Sequence, residues 1–170
     1  MRTKMSQSQR TVPGAGYGRW LTLAIWLAVV AAVALVGSSV TLPKIPTWYA
    51  GLVKPSFTPP NAVFGPAWTV LYVMMAVAVW RVGAASDPAR TRAVALFAVQ
   101  LVLNAIWSPV FFGMEAPRFG LAIIGALLVS LAATAVAFWR IDRTAGALLA
   151  PYLAWLCYAI ALNAAIVVLN

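Results

Sequence analysis

Histidine is absent from this 170-residue chain, acidic residues number three and cysteine one. Without histidine there is no Ser-His-Asp triad and no histidine-ligated haem, and zinc chemistry has no support. The three acids, Asp87, Glu115 and Asp142, all fall in connections between apolar runs. Ion-coupled transporters and pumps usually carry ionisable groups inside their spans, so proton-driven transport is disfavoured. The lone Cys157 excludes an intramolecular disulfide, and its mid-span position reads as a small buried apolar residue. Strand-like alternation is also missing, which argues against an outer-membrane barrel.

What the chain does have is hydrocarbon. Hydrophobic residues make up 64% and charged residues 9%, beyond what a water-soluble domain carries. Uncharged intervals run from Trp20 to Pro43, Pro55 to Trp80, Ala93 to Met114, Phe119 to Trp139 and Thr144 to Asn170. Each can hold the roughly 20 apolar residues that cross about 30 Å of hydrocarbon. The fold class expected is an all-α integral membrane protein, a five-transmembrane-helix bundle over residues 19–170 behind a flexible basic tail over 1–18. A secretory signal is a weaker reading of the first run, which exceeds the usual length of about 7–15 residues and lacks a clear cleavage site.

Of twelve basic residues, nine lie in the amino-terminal tail and in the turns holding Arg81, Arg90, Arg92, Arg140 and Arg143, leaving Lys44, Lys54 and Arg118 opposite. By the positive-inside rule the amino terminus is cytoplasmic and the long first connection faces away from the cytoplasm. Spread among helix ends, the net charge of +9 reads as topology signal and lipid-headgroup contact, not as a nucleic-acid footprint.

The segment WYAGLVKPSFTPPNAVFGPAWTVLY, Trp48 to Tyr72, concentrates aromatics, prolines and glycines. A connection from about Pro43 to Gly65 is long for a compact bundle. Its prolines restrict the backbone, and Trp48, Tyr49, Phe57 and Phe64 supply surface that favours burial. An interfacial aromatic belt is the alternative, but a belt needs no proline scaffold, so an ordered lid is expected.

Helical spacing then aligns three stripes: Trp68, Tyr72 and Met75 in the second span; Gln100, Asn104, Trp107 and Phe111 in the third; Trp155, Ala159, Leu162 and Asn163 in the fifth. Pro109 should loosen the end of the third span. Taken singly, each stripe reads as interhelical packing with Asn104 and Asn163 as hydrogen-bond glue. Together with the loop they describe an apolar pocket with a few neutral polar groups, suited to a flat ligand. Small residues recur every four positions at Ala122, Ala126, Ser130 and Thr134, and at Ala24, Ala28 and Ala32, permitting close packing within the bundle or in a homodimer.

Four blocks in order carry a family resemblance: WYAGLVKPSFTPP at Trp48 to Pro60, FGPAWTVLY at Phe64 to Tyr72, QLVLNAIWSPVFFG at Gln100 to Gly113 and PYLAWLCYAIALN at Pro151 to Asn163. The chain resembles the TspO/MBR family of tryptophan-rich sensory proteins over about Ser38 to Asn170. That resemblance implies a five-helix bundle, usually dimeric, whose cavity is closed by the first loop and binds porphyrins and other flat hydrophobic molecules without an obligatory cofactor. It implies cavity positions at Tyr49, Pro60, Trp68, Tyr72, Asn104, Trp107, Trp155, Ala159 and Leu162, seven of which the stripes had already picked out. Sensing, porphyrin transport and light-dependent porphyrin breakdown are all activities it implies, in an inner or an outer membrane, with ordinary helical insertion favouring the inner one. Two departures stand out. Phe57 replaces the tryptophan many relatives place before TPP. Ala164 and Val168 break the cholesterol-recognition pattern that follows LN in animal relatives.

Overall fold

The computed structural model describes the chain from Ala15 to Asn170, with side chains from Gly18 onward; most of the basic tail expected over residues 1–18 lies outside the described residues. Seven α-helices account for most of it, and no strand occurs among the described residues. They are α1 (Ala15–Thr41), α2 (Trp48–Gly51), α3 (Asn61–Gly83), α4 (Arg90–Ser108), α5 (Pro117–Ile141), α6 (Arg143–Leu148) and α7 (Ala150–Leu169). Five segments are long and apolar enough to cross a membrane: α1, α3, α4 with its extension to Gly113, α5, and α6 with α7. They alternate in direction, so one end of the bundle carries Arg19, Arg81 and Arg140 and the other Lys44, Lys54 and Arg118.

Helix limits depart from the uncharged intervals where prolines intervene. The second span starts at Asn61, not Pro55, because Pro59 and Pro60 disfavour helical geometry in the residues before them. The third passes into a π-helical turn over Pro109–Gly113, where Met114 N donates to Pro109 O at 2.9 Å. Pro109 has no amide hydrogen and its ring crowds the carbonyl four residues back, so the ladder slips to wider spacing as expected. The fifth is two helices with a break at Leu149, since Pro151 supplies no donor to the preceding turn.

The core is densest toward the arginine end. Met75, Ala76, Ala78, Val79, Phe97, Leu131, Phe138, Leu149 and Tyr152 are fully buried there, and Phe97 stacks on Phe138 at 6.0 Å. Gly146 makes this closure feasible: a Cβ at that position would sit 2.7 Å from the Trp139 backbone, so only glycine lets α6 turn tightly beneath α5. Asp142 caps α6 by accepting from Ala145 N (3.1 Å) and pairs with Arg81 at 2.8 Å, joining α3 to the α5–α6 corner. Partial burial would raise the Asp142 pKa, but the Ala145 amide and the Arg81 guanidinium outweigh it and hold the carboxyl below its usual range.

One expectation is corrected here. Cys157 is exposed on the outer face of α7 rather than buried, which places its side chain toward lipid. Along the α5 row of small residues, Ala122 and Ala126 are exposed, Ser130 half-buried and Thr134 buried. A four-residue step overshoots a helical turn by about 40°, so the row winds from the outer surface into the core.

Candidate functional site

Toward the lysine end the helices separate around a cavity of about 860 Å³. The stripes predicted from spacing form its walls: Trp68 and Tyr72 from α3, Asn104 and Trp107 from α4, Trp155, Ala159 and Leu162 from α7. Tyr49 of the loop completes it, so eight of the nine expected positions line one space. Pro60 does not. It ends the loop in extended geometry and caps α3, exposed and outside the lining.

Of the four other stripe members, Phe111 and Asn163 also line the space, while Met75 and Gln100 belong to the packing beneath. Met75 is fully buried, and Gln100 Nε2 donates weakly to its sulfur at 3.9 Å. Between this layer and the cavity lies a polar floor. Tyr72 Oη donates to Asn104 Oδ1 (2.7 Å), and Asn104 Nδ2 donates to Tyr152 Oη (2.7 Å), so one amide ties α3, α4 and α7 together. Asn104 is 6% exposed, which in a low-dielectric interior makes both bonds costly to lose. Tyr152, on the first turn of α7 three residues before Trp155, stands at the entry of that stripe, where spacing alone gives no sign of its partner Asn104.

The aromatic walls meet mostly at right angles. Trp68 and Trp155 approach edge to face at 6.5 Å and 81°, Phe64 meets Trp155 at 5.8 Å and 77°, and Trp107 stacks on Phe111 at 5.0 Å. A flat molecule can therefore lie on one tryptophan face while receiving the edge of another; it cannot be sandwiched between Trp68 and Trp155 in this arrangement. The indole Nε1 of Trp107 is shut off from solvent and has no acceptor. No Asp, Glu, Lys, Arg, His or Cys is part of the lining, so the cavity offers shape, π-surface and neutral hydrogen bonds.

Asn163 sits above, 2% exposed, and in the amide orientation that satisfies both groups it donates to Pro117 O (3.0 Å) and accepts from Leu121 N (3.1 Å). Gly120 admits this contact, since a Cβ there would press on Phe111 at 3.0 Å and on Asn163 at 3.3 Å.

The loop closes the lysine end. Trp48 packs edge-on to Phe111 and Phe112, and Tyr49 is 5% exposed against Phe112 with the Lys54 ammonium 4.8 Å over its ring. Burial, with a smaller contribution from Tyr158, pushes the Tyr49 phenol up, keeping it neutral. Three polar contacts fasten the loop: Lys44 to Glu115 (2.6 Å), Tyr158 Oη donating to Phe57 O (2.8 Å), and a two-way pair in which Val53 N donates to Asn170 Oδ1 and Asn170 Nδ2 donates to Val53 O, both 3.0 Å. Glu115 adopts φ 52°, the left-handed region, to reach Lys44.

A sequence model described as the TspO/MBR family matches residues 24–169. The chain belongs to the TspO/MBR family. It is 42% identical over 153 residues to a tryptophan-rich protein TspO of Archaeoglobus fulgidus, covering 88% of this chain and 97% of that one. It is 40% identical over 144 residues to a tryptophan-rich sensory protein of Cereibacter sphaeroides, covering 85% and 88%. The human translocator protein matches at 43% over 121 residues, 68% of this chain and 70% of its own. This TspO/MBR protein is thus an integral, multi-pass membrane protein of the sensor and translocator type. One wall of its cavity carried no sequence stripe. On α1, Val30, Ala34, Gly37 and Thr41 line the space, and as small or aliphatic residues in a uniformly apolar helix they gave no periodic polar signal.

Proposed function

We propose that this TspO/MBR protein is a membrane receptor for protoporphyrin IX or a related flat tetrapyrrole, and that occupancy of the cavity is linked to tetrapyrrole or stress signalling. One observation carries the reading: the three tryptophans Trp68, Trp107 and Trp155 converge on a single neutral space of about 860 Å³ with a hydrogen-bonded floor. That volume lies within the roughly 300–1,000 Å³ of small-molecule sites, and its lining is apolar with a few fixed polar groups. A macrocycle would lie on one indole face, with its edge carboxylates directed toward Lys54 and the loop. The lysine end would face away from the cytoplasm, by the charge distribution, in an inner membrane.

Transport across the bilayer and chemical breakdown of the ligand have less support. The cavity occupies only the lysine half, and the fully buried layer of Met75, Phe97, Phe138 and Tyr152 fills the rest, so a through-path requires a different state of the bundle. No acid, base or metal-ligating group lines the space to run a conventional turnover. Titrating the protein with protoporphyrin IX should give saturable quenching of tryptophan fluorescence, reduced roughly tenfold in affinity in a Trp68→Phe/Trp155→Phe variant. Quenching that never saturates in the parent chain would refute porphyrin binding.

A further inference from the structure

The first span leans. At the arginine end α1 is fastened to α3: Trp20 stacks on Trp80 at 5.8 Å and 23°, the Arg19 guanidinium lies 4.6 Å over the Trp80 ring, and Trp80 Nε1 donates to Arg19 O at 2.9 Å. At the lysine end α1 is fastened elsewhere. A Cβ on Gly37 would lie 3.4 Å from Ser108 Oγ, and one on Gly113 would lie 3.0 Å from Val40, so α1 rests there on the end of α4 and its π turn. A rod held to one neighbour below and another above must part from the first as it rises. The consequence is visible in exposure: Leu35 and Ser38 on α1, Leu42 just beyond it, and Gly65, Thr69 and Val73 on α3 all line the cavity, yet none is buried and all are exposed. Val30 is the one buried residue among the described residues of α1.

We infer that the cavity exchanges its ligand sideways with the bilayer, through this gap between α1 and α3, and that its ligands are therefore amphiphiles already dissolved in the leaflet on the lysine side. The gap runs from about Ala31 to Thr41, roughly 15 Å along the helix, about half of a hydrocarbon core of about 30 Å. Its lining carries no charge. Only neutral groups, the hydroxyls of Ser38, Thr41 and Thr69 and the amide of Asn61, interrupt the apolar surface, which suits passage of a molecule from acyl chains without rehydration. The aqueous route is closed instead, by Tyr49 and Trp48 packed on Phe111 and Phe112 and by the Asn170 and Tyr158 contacts to the loop. The inference rests on the cavity being a ligand site, and its ligand class follows from the route.

The test uses the full chain in phosphatidylcholine proteoliposomes. A bilayer-dissolved alkyl maleimide should modify an Ala159→Cys variant in a Cys157→Ser background, because position 159 lies inside the cavity. Adding Ser38→Trp with Thr69→Trp should slow that reaction by roughly tenfold or more, as expected for a blocked gate. The same two tryptophans should leave modification of the native Cys157 unchanged, since it faces lipid directly. A second plug, Leu35→Trp with Val73→Trp, should act alike. Equal rates with and without both plugs would overturn side access, whatever the ligand. With protoporphyrin IX, a plug should slow both association and dissociation, because both must pass the gate. Absence of saturable porphyrin quenching removes the porphyrin reading alone and leaves the maleimide rates to decide the portal. Porphyrin kinetics unchanged by plugs that do block the maleimide would overturn the portal as the route of that ligand.

Discussion

Toward the arginine end of the bundle, small and large apolar residues alternate, with Ala76, Ala78, Ala93 and Ala145 among Met75, Phe97, Phe138 and Tyr152, and the helices close completely. Toward the lysine end the large residues are Phe64, Trp68, Trp107, Trp155 and Phe111, the small ones such as Ala34, Gly65 and Ala159 face open space, and the helices stand apart around a cavity. Both halves are equally greasy, so hydrophobicity does not distinguish a core from a pocket. The difference is shape. Alanines and Gly146 let backbones approach until rotamers interlock, whereas crowded indoles meeting edge to face prop the helices open, and a loop must then cover what they leave.

The sharpest way to break this comparison is to delete equal aromatic mass from each half. Phe97→Ala should cost about 3–5 kcal/mol, the range for a fully buried aromatic with no room to relax. Phe64→Ala, already beside empty space, should cost clearly less, so detergent-solubilised thermal unfolding should separate the two by many degrees. If both lose the same stability, the lysine half is as tightly packed as the other.

The boundary between the halves comes next. Asn104→Leu strands the hydroxyls of Tyr72 and Tyr152, at roughly 1–3 kcal/mol for a buried unsatisfied group. The chain should unfold at lower temperature, and adding Tyr72→Phe should recover part of the loss. No recovery would mean that the amide is not the tie between α3, α4 and α7.

A smaller effect is expected at the lid. Asn170→Ala removes both bonds to Val53 and one to Ile166 from an exposed site, so about 0.5–1.5 kcal/mol per net bond is an upper guide. Limited proteolysis within the loop should rise while the bundle itself keeps its melting temperature. Loop cleavage equal to that of the parent would show that aromatic packing alone holds the lid.

The smallest effect concerns the closed end. Because the folded Asp142 pKa is depressed, its contribution is complete above the ordinary carboxylate value of about 3.9 and is lost as pH falls through the lower folded value. Stability of the parent should therefore decline as pH falls below about 4, and Arg81→Gln should flatten that decline. An identical acid profile in both would disconnect the pair from stability.

Much of the site was readable before any fold was known. Asn104 and Trp107, or Trp155 and Ala159, are one helical turn apart, and residues at that spacing share a face whatever surrounds them. The loop too was legible, since proline and tryptophan at that density resist both helix and solvation. Other features were out of reach. Tyr152 meets Asn104 across 48 positions and Asn170 meets Val53 across 117, and pairings at such separation leave no local periodicity. Cys157 illustrates the same limit, because in a helix apolar all round nothing marks which side faces lipid.

Composition and run length by themselves determined a five-span helical membrane protein, its stripes and its aromatic loop, because backbone groups in hydrocarbon must be satisfied within each helix and the 3.6-residue period fixes which side chains share a face. Only the tertiary structure decided that the stripes surround one cavity, that Pro60 stays outside it, and that α1 leans from α3 toward α4 and leaves a side opening. Those outcomes depend on which helix touches which at each depth, and that is settled by the close fits at Gly37, Gly113, Gly120 and Gly146, not by any property of a single span.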